Sequence, residues 1–329
     1  MDDRHIGHED QELLIRSMSV EDGPARGMRV IHILNAAGLF LEILPDRGLD
    51  IAAAAWQGKS LAWLSPAGLR HPLSYEPHGL GWLRSFVGGL LVTCGLEQAG
   101  APSAEGGVEY GLHGRYSCLA AEEVSAARVD DGGRLEARIS GKVRQAALFR
   151  ENLSLARRIT VPADAPAFIV EDEVKNEGRR DEPLMLLYHL NFGYPLVMQG
   201  TRVVVPENTK TLPRDDDARN GMETALTADA PTPGYREKVY YHDVPHGGAA
   251  EVGLISPEGW GISITYSRDV LTELVQWKMM GEKEYVIGME PANCRVGGRA
   301  AERADGRLKI LMPGETVRTF IRLNVLAKK

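Results

Sequence analysis

Alternation of apolar and polar residues with a period of two dominates the chain, and the helical period of 3.6 is rare. Residues 39–64 read as strand, turn, strand, turn, strand: LFLEIL, PDRG, LDIAAAAW, QGK and SLAWL. In residues 168–176, Phe168, Val170 and Val174 share one face while Ile169, Glu171, Glu173 and Lys175 share the other. That pattern predicts a strand packed on one side and wet on the other. In the preceding segment Leu153, Leu155, Ile159 and Val161 share a face, with Arg157 as the exception. Near the end of the chain, Val317, Ile321, Leu323 and Val325 dominate one parity after the turn MPGE. The expected fold class is all-β, a large antiparallel sandwich with minor helix. Residues 100–107 and 206–233 lack periodicity and read as loops, the second equally consistent with a linker. Because strands continue on both sides of it, one large sandwich domain over residues 1–329 is preferred to two. Residues 1–20 are expected to be a mobile or edge-forming segment.

Composition narrows the function. The 36 glycines and 18 prolines among 329 residues favour many turns over a helix bundle. A net charge of −7 without a basic block argues against nucleic acid as a partner, because that affinity comes largely from neutralising phosphates. No apolar run approaches the roughly 20 residues that span a bilayer, so no membrane partner is expected. The start of the chain, MDDRHIGHEDQELL, is acidic and does not read as a secretory signal. Cys94, Cys118 and Cys294 are odd in number and widely spaced, which points to a reducing cytoplasm rather than a disulfide framework or a zinc site.

Three segments combine functional side chains with strand ends and glycines. His113 sits between two glycines in YGLHGR, His189 follows an apolar run in LLYHLNFG, and Glu290 ends one before Pro291. Alone, each has a plain structural reading: a turn residue, a satisfied core histidine, a carboxylate accepting backbone hydrogen bonds. Together, two histidines and a carboxylate are the components of general acid–base catalysis near neutral pH. Trp277 suits stacking on the C–H face of a sugar or an ordinary core position. Lys278 projects to the opposite face from Trp277, so the two enter one cleft only if the strand bulges or ends there. Arg47 either ties the PDRG turn or touches substrate. If it converged with Arg84 or Arg115, an anionic sugar would become attractive through bidentate pairing. His242 and His246, four apart on a Pro/Gly-rich stretch, lack the rigid helix that makes such spacing a metal signature. No metal is expected, and with no G-x-G-x-x-G fingerprint no cofactor is expected either.

The segments LPDRGLDI (44–51), GGLLVTCGLEQAG (88–100), YGLHGR (110–115), LYHLNFGYPL (187–196), QWKMMGEKEYVIGMEPANC (276–294) and LMPGETVRTFIRLNVL (311–326) together resemble the aldose 1-epimerase (galactose mutarotase) superfamily. More narrowly, the chain resembles an uncharacterised bacterial branch of it. The resemblance implies a β-supersandwich with a sugar-binding cleft and an isomerase that interconverts α and β anomers. It gives His189 the role of acid at the ring oxygen, Glu290 that of base at the anomeric hydroxyl, and His113 that of a substrate hydrogen-bonder. Arg47, Trp277, Lys278, Asn191 and Arg84 are further substrate-binding candidates. Asp243, in YYHDVP, is nearest in place to the family's substrate-binding aspartate. The chain departs from the usual N-H-T-Y-F-N-L around the acid histidine, having Tyr188-His189-Leu190-Asn191-Phe192-Gly193. The expected partner is a small sugar, anionic if arginines converge, and the expected state a monomer or homodimer. Two other readings remain: a keto-sugar isomerase, epimerase or lyase using the same acid–base pair, and a non-catalytic carbohydrate-binding or sugar-sensing protein.

Overall fold

The structure is a computed structural model that describes residues 3–328. An antiparallel meander opens it: β1 (Leu13–Ser19), β2 (Arg29–Asn35), β3 (Leu39–Leu44), β4 (Asp50–Trp56) and β5 (Lys59–Ser60), with β1 at the edge. A long irregular stretch leads to β6 (Val92–Leu96) and the hairpin β7 (Ser103–Glu105) and β8 (Val108–Tyr110). Four long strands follow by hairpins: β9 (Ala121–Asp131), β10 (Arg134–Ala146), β11 (Asn152–Pro162) and β12 (Ala167–Asn176). Next come β13 (Glu182–Phe192), β14 (Arg202–Val204), β15 (Lys210–Pro213), β16 (Lys238–Asp243), β17 (Ala250–Ile255) and β18 (Gly261–Tyr266). The last are β19 (Glu273–Gly281), β20 (Glu284–Ala292), β21 (Lys309–Leu311) and β22 (Thr316–Leu326).

One sheet of eight strands has the order β14-β17-β18-β22-β12-β11-β10-β9. Another runs β15-β16-β19-β20-β13-β21, with β6 also paired to β13. Among the described residues, helix is confined to α1 (Asp216–Arg219), α2 (Arg299–Ala304) and single 3-10 turns. The architecture is thus the antiparallel all-β one that the period-2 pattern predicts. Inward-facing residues of all three large sheets, from Leu13 to Val325, join in one apolar cluster.

The polar exceptions to the alternation are paired. Arg157 on β11 and Asp172 on β12 both point inward and stand directly opposite each other in the ladder. The guanidinium donates to both Asp172 oxygens at 2.9 and 2.7 Å, to Asp50 of β4 at 2.8 Å and to the Thr93 hydroxyl of β6 at 2.8 Å. The Tyr188 hydroxyl of β13 donates to Asp172 at 2.6 Å. One buried cation therefore ties together strands from all three large sheets.

Three sequence expectations differ in detail. Residues 100–107 contain half of the β7–β8 hairpin, turned by Gly106 and Gly107 at positive φ. Of SLAWL only Ser60 belongs to a strand, because Ala62 and Leu64 make isolated bridges to Phe192 and Gly88 instead of joining a ladder. Residues 206–233 hold β15 and α1 and dock on the sheet through Lys278, whose ammonium meets the Thr224 and Thr227 carbonyls at 2.6 and 2.7 Å and Asp229 at 2.7 Å. In the opening segment, Arg128 ties Glu9 and Asp10 to β9 and donates to the Leu13 carbonyl at 2.7 Å.

Candidate active site

Alternation divides the side chains of the second sheet between two faces. Tyr188 and Leu190 of β13, Leu274 of β19, and Ile287 and Met289 of β20 enter the main core. Met185 and Leu187 of β13, Val239 and Tyr241 of β16, Val275 of β19 and Ala292 of β20 join a second apolar cluster with Trp82 and Phe86. His189 and Glu290 have the parity of that second face. It floors a cleft of about 680 Å³ whose lining includes Trp63, Trp82, Phe86, His113, His189, Arg214, Glu237, Trp277 and Glu290. The 61–91 excursion supplies Trp63, Trp82 and Phe86 to its lining.

His189 Nε2 lies 3.3 Å from Glu290 Oε1, with both side chains buried. The angle does not make a hydrogen bond, and Glu290 Oε1 and His189 Nδ1 have no hydrogen-bond partner. Buried polar atoms without partners are rare and costly, and they mark a place where a ligand can supply them. Around the His189 ring stand Phe86 at 5.4 Å, His113 at 5.5 Å and Trp277 at 5.5 Å between centroids. Burial drives the imidazole pKa well below its ordinary value, His113 adds to this, and Asn191 opposes it. Burial also raises the Glu290 carboxyl well above its ordinary value, Glu237 adds to this, and Arg214 opposes it. Both shifts favour uncharged partners, so the pair holds one proton between them.

His113 is held in a left-handed turn at φ 57°, with its N–H donating to the Gly100 carbonyl at 2.8 Å. The Gly100 N–H donates back to His113 Nδ1 at 3.3 Å. A backbone N–H only donates, so Nδ1 is the acceptor. Desolvation pushes this imidazole down to about 4; the neutral ring therefore carries its proton on Nε2. Gly100 has φ +79°, and a Cβ there would lie 2.5 Å from the Val296 carbonyl, so only glycine permits this approach.

The other sequence candidates do not line the cleft. Arg47 is buried elsewhere, donating to the carbonyls of Arg70 and Ser85 at 2.9 Å each; it ties a turn, as its plain reading held. Lys278 faces away from Trp277 and anchors the 206–233 segment. Asn191 is fully buried and donates to the Gly88, Gly89 and His189 carbonyls, so it braces the backbone at His189 and does not line the cleft. Arg84 is exposed and pairs with Glu76 at 2.7 Å. Asp243 is exposed, at the end of β16 opposite Lys210. Arg115 pairs with Glu151 at 2.8 Å. The arginine convergence that would have favoured an anionic sugar is absent among them. His242 is spent on Thr211 at 3.0 Å and Gln276 at 2.8 Å.

Sequence reasoning missed Arg214 and Glu237. Arg214 follows β15 inside the aperiodic segment, and Glu237 directly precedes β16. The guanidinium donates to Glu237 at 3.0 Å and to Asp215 at 2.7 Å, and the Trp277 indole N–H donates to the other Glu237 oxygen at 2.9 Å. Glu237 thus fixes the Trp277 indole in the cleft wall.

A family model described as a domain of unknown function, DUF4432, matches residues 25–325. No curated protein matches the chain. Among solved structures, a Klebsiella pneumoniae protein provisionally assigned as an aldose 1-epimerase is 26% identical with a TM-score of 0.91, over 96% of this chain and 84% of that one. A galactose mutarotase-like protein from Clostridium acetobutylicum is 14% identical with a TM-score of 0.64, over 96% of this chain and 99% of that one. The galactose 1-epimerase of Lactobacillus acidophilus is 14% identical with a TM-score of 0.61, over 97% and 100%. The chain has the galactose mutarotase-like fold and belongs to the DUF4432 family of unknown function.

Proposed function

We propose that this protein is a sugar isomerase of the aldose 1-epimerase type, interconverting the α and β anomers of a free, uncharged sugar. Support comes above all from His189 Nε2 and Glu290 Oε1, 3.3 Å apart and buried on the floor of an aromatic-walled cleft. Within the one-proton pair, the active arrangement places the proton on His189. Glu290 takes the proton from the C1 hydroxyl while His189 delivers one to the ring oxygen, and the C1–ring oxygen bond breaks. The resulting aldehyde carbon rotates about its bond to C2. Return of both protons by the reverse path closes the ring with either configuration. The neutral His113 donates from Nε2, and Trp277 offers its face to the sugar C–H groups. A non-catalytic binding module would gain nothing from an unsatisfied buried glutamate beside a histidine.

The pH profile of anomer exchange tests this, read by NMR and corrected for the uncatalysed rate. With the histidine lowered and the glutamate raised, the pair keeps its single proton across the interval between those two shifted values. Activity is therefore expected to persist as pH rises through about 6.5, an ordinary histidine value. On the acid side, loss comes where the pair gains a second proton. Activity falling away with rising pH near 6.5 would contradict the coupled pair.

A second expectation concerns Gly288, two residues before the base on the same face of β20. A Cβ there would stand 2.6 Å from Glu290 Oε1 and 3.1 Å from the Trp277 Cβ. Gly288→Ala is expected to swing the carboxylate off its line to His189 and lower turnover by about 10²-fold, the scale of a 1 Å misplacement. Thermal melting should change little, since the sharpest collision falls on the end of the Glu290 side chain and the Trp277 Cβ contact asks for a shift of only a few tenths of an ångström. Unchanged turnover would show that the carboxylate has slack.

A further inference from the structure

We propose that the cleft selects sugars whose C5 substituent is apolar or absent, a 6-deoxyhexose or a pentose, over hexoses with a hydroxymethyl group and over uronates. This rests on the acid–base roles proposed above, because they fix the direction of the sugar ring. With the C1 hydroxyl at Glu290 and the ring oxygen at His189, the ring continues from C1 to C2 and C3 on the Glu290 side. From the ring oxygen it continues to C5 and its substituent on the His189 side.

Strand order turns those sides into addresses. Across the sheet the sequence is β15, β16, β19, β20, β13 and then β6. Arg214 and Glu237 flank β15 and β16, so the ionic groups lie beyond Glu290, toward C2 and C3. Beyond His189, on the β6 side, lie His113 and Leu112, brought there by the Gly95–Gly114 bridge. The Trp82 ring stands 4.8 Å from that of His113, and the Leu112 N–H donates to the Gly79 carbonyl beside Leu80. Leu83 and Phe86 also line the cleft. Ser65 there is spent on the Phe86 carbonyl, and the Trp82 indole N–H is spent on Ser117 at 3.2 Å. His113 is the polar group on this side, and its ring stands against His189, beside the place of the ring oxygen. Leu80 and Leu83 are 59% and 50% exposed, apolar surface that a C5 methyl would cover and that a hydroxymethyl would cover only by giving up hydration of its hydroxyl. A uronate fares worst, because Arg214, the cation in the lining, lies on the C2–C3 side and is already held by Glu237 and Asp215.

The test compares sugars of identical ring configuration and handedness: 6-deoxygalactose, galactose and galacturonate, then 6-deoxymannose and mannose. Binding is read by quenching of tryptophan fluorescence, and anomer exchange separately by NMR. The 6-deoxy member of each pair is expected to bind and turn over about 10- to 100-fold better than its parent, the scale on which an apolar pocket rejects an added hydroxyl. Leu83→Ser, on an exposed side chain, should shrink that preference several-fold. Equal or better binding of the parent hexoses would overturn the proposal, as would failure to bind any of these sugars. A deoxy preference in binding without exchange would uphold the substrate class and overturn the reaction. Exchange without the preference would do the reverse.

Discussion

Glu290→Gln is expected to lower anomer exchange by about 10²-fold or more while changing sugar binding only a few-fold. The amide keeps the size of the carboxylate and removes its basicity. His189→Asn should behave alike, and the double variant should be little worse than either single one, because both groups serve one proton-transfer step. Stability supplies an independent readout. Glu290 Oε1 has no hydrogen-bond partner, and burial disfavours its charge. Glu290→Gln should therefore melt at the same temperature or higher, as expected where function holds a residue away from its most stable choice. Near-normal turnover would reduce the glutamate to a strand-end acceptor and favour the binding-module reading. A large loss of stability would mean that the carboxylate is a structural member.

The strands were legible because one face of most of them is wet, so parity alone separates core from surface. Parity also gives the opposed directions of Trp277 and Lys278, and the structure has Trp277 in the cleft and Lys278 behind the sheet. His113, His189 and Glu290 come to one cleft from segments far apart in sequence. Arg47 and Arg84 were beyond reach of the sequence because a turn arginine has the same local pattern whether it holds carbonyls or faces a ligand. Asp243 shows a different limit. It ends β16 away from the cleft, whereas Glu237, just before the other end of the same strand, lines it. Arg214 lies in a segment without periodicity, where nothing local says which face of a sheet the chain will cover.

Arg157 was visible in the sequence as a parity violation, and its substitution should have the largest effect on stability. Arg157→Met is expected to destabilise the protein by about 3–5 kcal/mol, the cost of removing one partner from a buried ion pair. Burial opposes the guanidinium charge, but Asp172 and Asp50 outweigh it and hold its pKa well above the usual range. Without it, Asp172 and Asp50 would face the core as uncompensated carboxylates, and the Thr93 hydroxyl and Gly48 carbonyl would each lose a donor. Urea unfolding should show a lower midpoint with an unchanged slope. Arg157→Met combined with Asp172→Leu should recover part of the loss, because an apolar pair strands one carboxylate instead of two. The same network bears on the site, since Thr93 and Tyr188 face each other on β6 and β13 and Tyr188 directly precedes His189. An Arg157→Met protein as stable as the parent would mean that these carboxylates take up protons or water at little cost, and that apolar packing alone holds the three sheets together.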